Sequence, residues 1–230
     1  MSVCHLADGS ATTHDVSMEN IAGIRIPDST LAKDAHELAR EHSPDFLLAH
    51  VDRTFIFGSL ATLAAALNVD EELAYVAAIL HDLGLTRRYG GQRRFEIDGA
   101  EVARSWARSN GMSADEADHI WHAIALHTSA GIADARSPEC ALVHWGAGVD
   151  VIGLGAENLP PQAVAAVHAA FPREGFADGI ADLLEDAVRR SPEAYATSFL
   201  SNTATRLCGA VVPTVDEQLR QDPFATTPAT

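Results

Sequence analysis

Four ionisable side chains stand where an apolar setting makes them costly. His50 lies in "LLAHVDRTFIF", His81 and Asp82 in "YVAAILHDLGL", and Asp150 in "HWGAGVDVIG". An imidazole or carboxylate buried in such a run needs something to neutralise it. Two neutral imidazoles and two carboxylates form a reasonable ligand set for a divalent transition metal. Imidazole suits zinc, iron and manganese, and carboxylate oxygens complete the charge balance. The alternative is a metal-free network in which His81 and Asp82 bond to each other or to the backbone. Spacing alone leaves both readings open. Neighbouring residues on a helix point ~100° apart, so a histidine–aspartate pair straddles one ion best at a helix end, which Gly84 would provide.

Any one of the eleven histidines taken singly reads first as a surface or satisfied core residue. His119 and His122 share a face at i, i+3. With His144 they could supply a second metal site, while Trp121 and Trp145 beside them read as core. The segment "RRYGGQRR" (87–94) is half arginine in a chain whose only lysine is Lys33. It reads as a solvated loop or as an anion-steering rim beside the histidine–aspartate pair.

The elements that must position these groups are helices. Ser29 or Thr30 can cap "LAKDAHELAREH", and Pro44 suits the first turn of "DFLLAHVDRTFIFGSLATLAAALN". Asp70 can cap "EELAYVAAILHDLG", which Gly84 would close. Asp98 can cap "GAEVARSWARSN", and Ser113 with Glu116 fits a capping box for "ADEADHIWHAIALHT". Ser137 and Pro138 open "ECALVHWGAGVDVIG", where Gly146 and Gly148 suit close helix packing. Strict apolar/polar alternation is missing. The expectation is a single all-α domain of roughly eight to ten helices over residues 29–210. Residues 1–28 read as a polar leader and 211–230 as a frayed tail.

Composition narrows the function classes. A net charge of -16 argues against nucleic acid or an anionic membrane surface as the main partner. Cys4, Cys140 and Cys208 form no paired pattern, and neither a signal peptide nor a membrane-crossing run is evident. A cytoplasmic protein acting on a small molecule is the default, and assembly into a homo-oligomer is left open.

The order His50, His81-Asp82, Asp150 resembles the HD superfamily of metal-dependent hydrolases, all-helical domains defined by H…HD…D on separate helices. "HVDRTFIFG", "AAILHDLGLT", "RFEIDGAEVAR", "IWHAIALHTSAGIA", "LVHWGAGVDVIG" and "FPREGF" resemble its cyanamide hydratase-like branch. One departure is Val51, where that branch often has serine. The resemblance implies that His50, His81, Asp82 and Asp150 bind one ion, zinc first, with iron or manganese as alternatives. It implies a substrate pocket lined by His127, Thr128 and Glu96, with Arg53 holding a ligand carboxylate one helical turn from His50.

The chemistry implied is hydration of a nitrile-like triple bond, cyanamide to urea, by water that a divalent ion has acidified to a pKa of about 7. Asp82 is the candidate to accept the proton of the attacking water, and His127 to donate a proton or position substrate. His127 could instead be a structural cap of its helix. A metal-dependent phosphohydrolase of nucleotides or other phosphoesters is the rival activity, to which the 87–94 arginines would lend clamps. No P-loop accompanies them. A metal-free helical binding module is the non-enzymatic rival.

Overall fold

The computed structural model describes residues 20–220. A two-stranded antiparallel hairpin, β1 (Asn20–Ile21) and β2 (Ile24–Arg25), leads into α1 (Thr30–His42), α2 (Asp45–Ala64) and α3 (Glu71–Leu80). There follow α4 (Phe95–Ser109), α5 (Ala114–Leu126), α6 (Ala133–Arg136) and α7 (Pro138–Ile152). The chain continues through α8 (Pro161–Ala170), α9 (Phe176–Arg190), α10 (Pro192–Tyr195), α11 (Ser201–Cys208) and α12 (Val215–Arg220). Among the described residues, nine helices have eight residues or more, and α6, α10 and α12 are short. The all-α expectation holds. Residues 1–19 of the expected leader and 221–230 of the expected tail lie outside the described residues.

Side-chain caps set several boundaries. Ser29 accepts from the Ala32 amide, Asp70 from Leu73, and Ser137 from Cys140. Ser113 and Glu116 close a reciprocal capping box, so orphan amides of these first turns are satisfied locally. Two expectations shift. Helix α4 begins at Phe95, and Asp98 lies inside its first turn, accepting from the Gly91 amide and Arg93. Gly84 is not a left-handed helix terminator: it sits in a 3-10 turn, Leu83–Leu85, after α3 has ended. It is glycine because a Cβ there would collide with the Phe95 carbonyl.

Helix α2 is the spine. Every residue from His50 to Gly58 is buried, as expected of a helix surrounded by others rather than lying at a surface. Its length and hydropathy would suffice to cross a membrane, contrary to the sequence expectation, yet most of that apolar window is buried inside the fold. Its main partner is α7. The two backbones touch where a Cβ on Gly58 would meet the Leu142 carbonyl and one on Gly146 would meet that of Thr54. That crossing sets Asp150 of α7 opposite His50 and Arg53 of α2. Helix α3 packs on α1, α2, α5 and α7 and ends by delivering His81 and Asp82 beside them. Helix α9 buries Phe176, Ile180, Ala187 and Val188 along one stripe, which helps enclose the site.

Candidate metal centre and its cavity

His50 comes from the middle of α2, and His81 is the residue that follows the last turn of α3. Asp82 has left the helix, with φ -102° and ψ 10°. This break lets two adjacent side chains turn toward one point. His50 Nε2 lies 3.4 Å from Asp82 Oδ2, and His81 Nε2 lies 3.3 Å from the same oxygen. One donor atom from each of the three residues lies within 4.8 Å of the others. Each is at least nine-tenths buried.

The histidine tautomers follow from their other nitrogens. His81 Nδ1–H donates to the Ala78 carbonyl at 2.7 Å, and His127 Nδ1–H to the Ile124 carbonyl at 2.6 Å. His50 Nδ1–H donates to Asp150 Oδ2 at 2.7 Å. Each Nε2 therefore keeps a lone pair. His81 Nε2 is buried and has no hydrogen-bond partner among the described residues, a state that metal binding would resolve. Separations of 3.3–3.4 Å suit two donors each ~2.1 Å from one ion at near-tetrahedral angles. These residues fit a divalent cation.

Asp150 takes a different position from the sequence expectation of a fourth ligand. It stands behind His50, outside the three-residue group. Arg53 Nε donates to its Oδ1 and Arg53 Nη2 to its Oδ2, both at 2.8 Å, and Arg173 Nη1 also donates to Oδ1. Together with His50 these fill the roughly four acceptor sites of a carboxylate. Arg53 is wholly buried and spends Nη1 on the Phe171 and Pro172 carbonyls. Phe176 stacks on the His50 ring at 5.0 Å, and both guanidiniums lie over its face.

Electrostatics divides the cluster. Burial pushes Asp82 upward, but the His81 and His50 imidazoles outweigh it and hold the carboxyl well below its usual range. Asp150 sits at about 2, since bonds from His50 and Arg53 overcome burial. Burial would pull His50 down, yet its two carboxylate partners raise it. Burial pulls His127 down to about 4, assisted by His81. His127 Nε2 lies 3.9 Å from Asp82 Oδ1, on the carboxylate oxygen facing away from the other two histidines' contacts.

A cavity of about 290 Å³ reaches His50, His81, Asp82 and His127. Its remaining walls are Thr128, Ala130 and His144 with apolar side chains from Leu85, Phe95, Leu154, α7, α9 and Phe199; among the described residues no lysine or arginine lines it. Thr128 donates its hydroxyl to Glu96 Oε1 at 2.6 Å and accepts from Arg94 at 3.2 Å. Its proton is thereby committed, and what it offers the cavity is a lone pair. Glu96, expected to touch substrate, is instead wholly buried and does not line the cavity.

The other sequence candidates separate. Among the described residues, only His50, His81 and Asp82 group closely enough to hold an ion. His119 and His122 bond back to the Asp115 and Asp118 carbonyls of their own helix, while His144 bonds to the His127 carbonyl. Arg93 pairs with Asp98 and Arg94 with Glu96, and Arg87 and Arg88 are exposed. Sequence reasoning missed Arg173, although it quoted "FPREGF", and it missed the wall from α9 and Phe199. An apolar stripe at helical spacing reads as core whether it packs on protein or on a cavity.

Comparison with curated protein sequences finds no match. The family model for the HD domain matches residues 32–165, more than half of the chain and every residue of the metal cluster. The chain therefore belongs to the HD-domain family, whose members are generally metal-dependent enzymes of hydrolase type.

Proposed function

We propose that this chain is a metal-dependent hydratase that adds water to the carbon–nitrogen triple bond of a small, uncharged, nitrile-like molecule, as in conversion of cyanamide to urea. His50, His81 and Asp82 would hold one divalent ion: zinc by preference, iron or manganese with the same donors. When bound, such an ion supplies a water of lowered pKa, about 7, and polarises the substrate.

Support for an uncharged substrate comes from the cavity wall, which presents no lysine or arginine among the described residues. A phosphoester calls for cationic clamps. The nearby guanidiniums are engaged elsewhere, Arg53 and Arg173 on Asp150 and Arg94 on Glu96 and Thr128.

His127 Nε2 is an acceptor because its Nδ1–H is held by Ile124. It takes the proton of the attacking water as the carbon–oxygen bond forms, and returns it to the nitrogen that receives the π electrons. This replaces the expectation of a resting proton donor. Asp82 turns its Oδ2 to both His50 and His81, so it would be taken up by the ion, and the proton-accepting role expected of it passes to His127. Asp150 and Arg53 fix the ring plane of His50, as carboxylate–histidine pairs do at metal centres. Thr128 would accept from an N–H of cyanamide or of the amide formed, and Leu85 and Phe95 limit water.

The test is a turnover screen of the metal-loaded protein against cyanamide, other small nitriles and nucleotides. Nitrile hydration supports the reading; nucleotide hydrolysis with no nitrile turned over overturns it.

A further inference from the structure

The cavity is larger and more apolar than cyanamide requires. At the ~30 Å³ that a water takes in the liquid, about 290 Å³ has room for roughly ten non-hydrogen atoms. Exposure along its wall gives it a direction. Leu85 and Phe95, both C-terminal to the histidine–aspartate pair in sequence, are 1% and 2% exposed. Ile180 of α9 is 7% exposed, while Phe199 is 51% and Ile152 is 77% exposed. All five line the same space, as does Leu184. A dry, deep end at the metal cluster thus opens to solvent between large apolar side chains. Exposed aliphatic and aromatic groups at the mouth of a cavity are costly to leave in water, and a bound apolar body would cover them.

We infer that the physiological substrate is an uncharged molecule with an apolar body of roughly six or seven carbons, attached to the small unsaturated head that reacts at the cluster. The head lies by Asp82, His127 and Thr128. The body runs along Phe95 and the α9 side chains Ile180 and Leu184 and ends between Ile152 and Phe199. This rests on the reading of His50, His81 and Asp82 as the reaction centre. It goes beyond that reading in assigning the binding energy to the apolar tail.

The chain-length series tests it with a readout separate from turnover. Straight-chain primary amides, from acetamide to heptanamide, are titrated by calorimetry into the zinc-loaded, unsubstituted protein. The matching nitriles are assayed in parallel. Burying each added methylene strengthens binding about fourfold, so amide affinity should climb at that rate until the chain reaches solvent, and nitrile kcat/KM should climb with it. Leu184→Asn, on the protein's partly buried wall, should weaken hexanamide binding about tenfold or more. Affinity independent of length, or AMP binding more tightly than hexanamide, would overturn the inference. Length-dependent amide binding with no nitrile turned over would uphold the apolar-body inference and overturn the hydration chemistry.

Discussion

Asp150 Oδ2 accepts the Nδ1–H of His50 at 2.7 Å while Arg53 donates to both of its oxygens. One buried carboxylate thus orients an imidazole of the candidate metal cluster and neutralises a wholly buried guanidinium. The same residue therefore serves the site and the fold, and substitutions can separate the two. Asp150→Ala strands Arg53 without its counter-charge, a loss of about 3–5 kcal/mol for a broken buried pair. Urea unfolding should show it, and an unchanged midpoint would contradict the placement. Asp150→Asn keeps the shape and should retain much of the fold. It should weaken zinc affinity about 10–100-fold, measured by competition with a chelator.

His127 and His81 should behave differently although their rings are 4.9 Å apart. His81→Ala should lose both metal and activity. His127→Gln should keep its metal and lose about 10²–10⁴ in kcat, the range for a positioned proton-transfer group. Metal analysis beside kinetics checks this. Loss of metal from His127→Gln would make it a ligand instead.

The contact between α2 and α7 permits no Cβ. Gly146→Ala places a methyl group against the Thr54 carbonyl, and the helices must separate. Overpacking of this kind destabilises by about 1–3 kcal/mol, occasionally more. Because the same crossing sets Asp150 against His50, zinc affinity should fall as well. A variant with native unfolding and native affinity would show that the crossing does not hold the site.

The opposite face of α2 carries a pH-dependent pair. His36 Nε2 lies 3.2 Å from Asp52 Oδ1. The hydrogen bond to Asp52 raises His36 above its ordinary 6.5, and burial raises Asp52 above its ordinary 3.8. For a raised folded pKa, the stability contributed is fully present below the unfolded value and is lost as pH rises through the folded one. The His36 contribution is therefore intact below about 6.5 and fades above it, and the Asp52 contribution fades in a more acidic window. The native chain's advantage over His36→Ala should be larger near pH 6 than near pH 8.5, and under about 1 kcal/mol because the imidazole is a third exposed. An advantage that grew with pH would reverse the sign.

The parts of this protein readable in the sequence are those governed by local rules. The Ser113–Glu116 box, the caps at Ser29, Asp70 and Ser137, and the buried setting of His50, His81 and Asp82 all follow from neighbours a few residues away. Gly84 was readable as special, but the reason was not. Its constraint comes from the Phe95 carbonyl, which only the tertiary fold brings close. Asp150 shows the same limit more sharply. An isolated carboxylate in an apolar run announces that it has a partner without saying which. Here its partners are Arg53, ninety-seven positions away, Arg173 from the loop before α9, and His50. The arginines of 87–94 looked available in sequence because Asp98, which pairs with Arg93, read as a helix cap, and Glu96, which pairs with Arg94, read as a pocket residue.

Metal stoichiometry of the purified chain, measured beside His81→Ala and Asp82→Ala, tests the central claim most directly. His50, His81 and Asp82 as a single-ion centre predict about one equivalent of divalent metal per native chain. Both variants should hold almost none after the same purification and reconstitution, while remaining folded. Native protein that stays metal-free on reconstitution, or variants that retain the ion, would contradict the account.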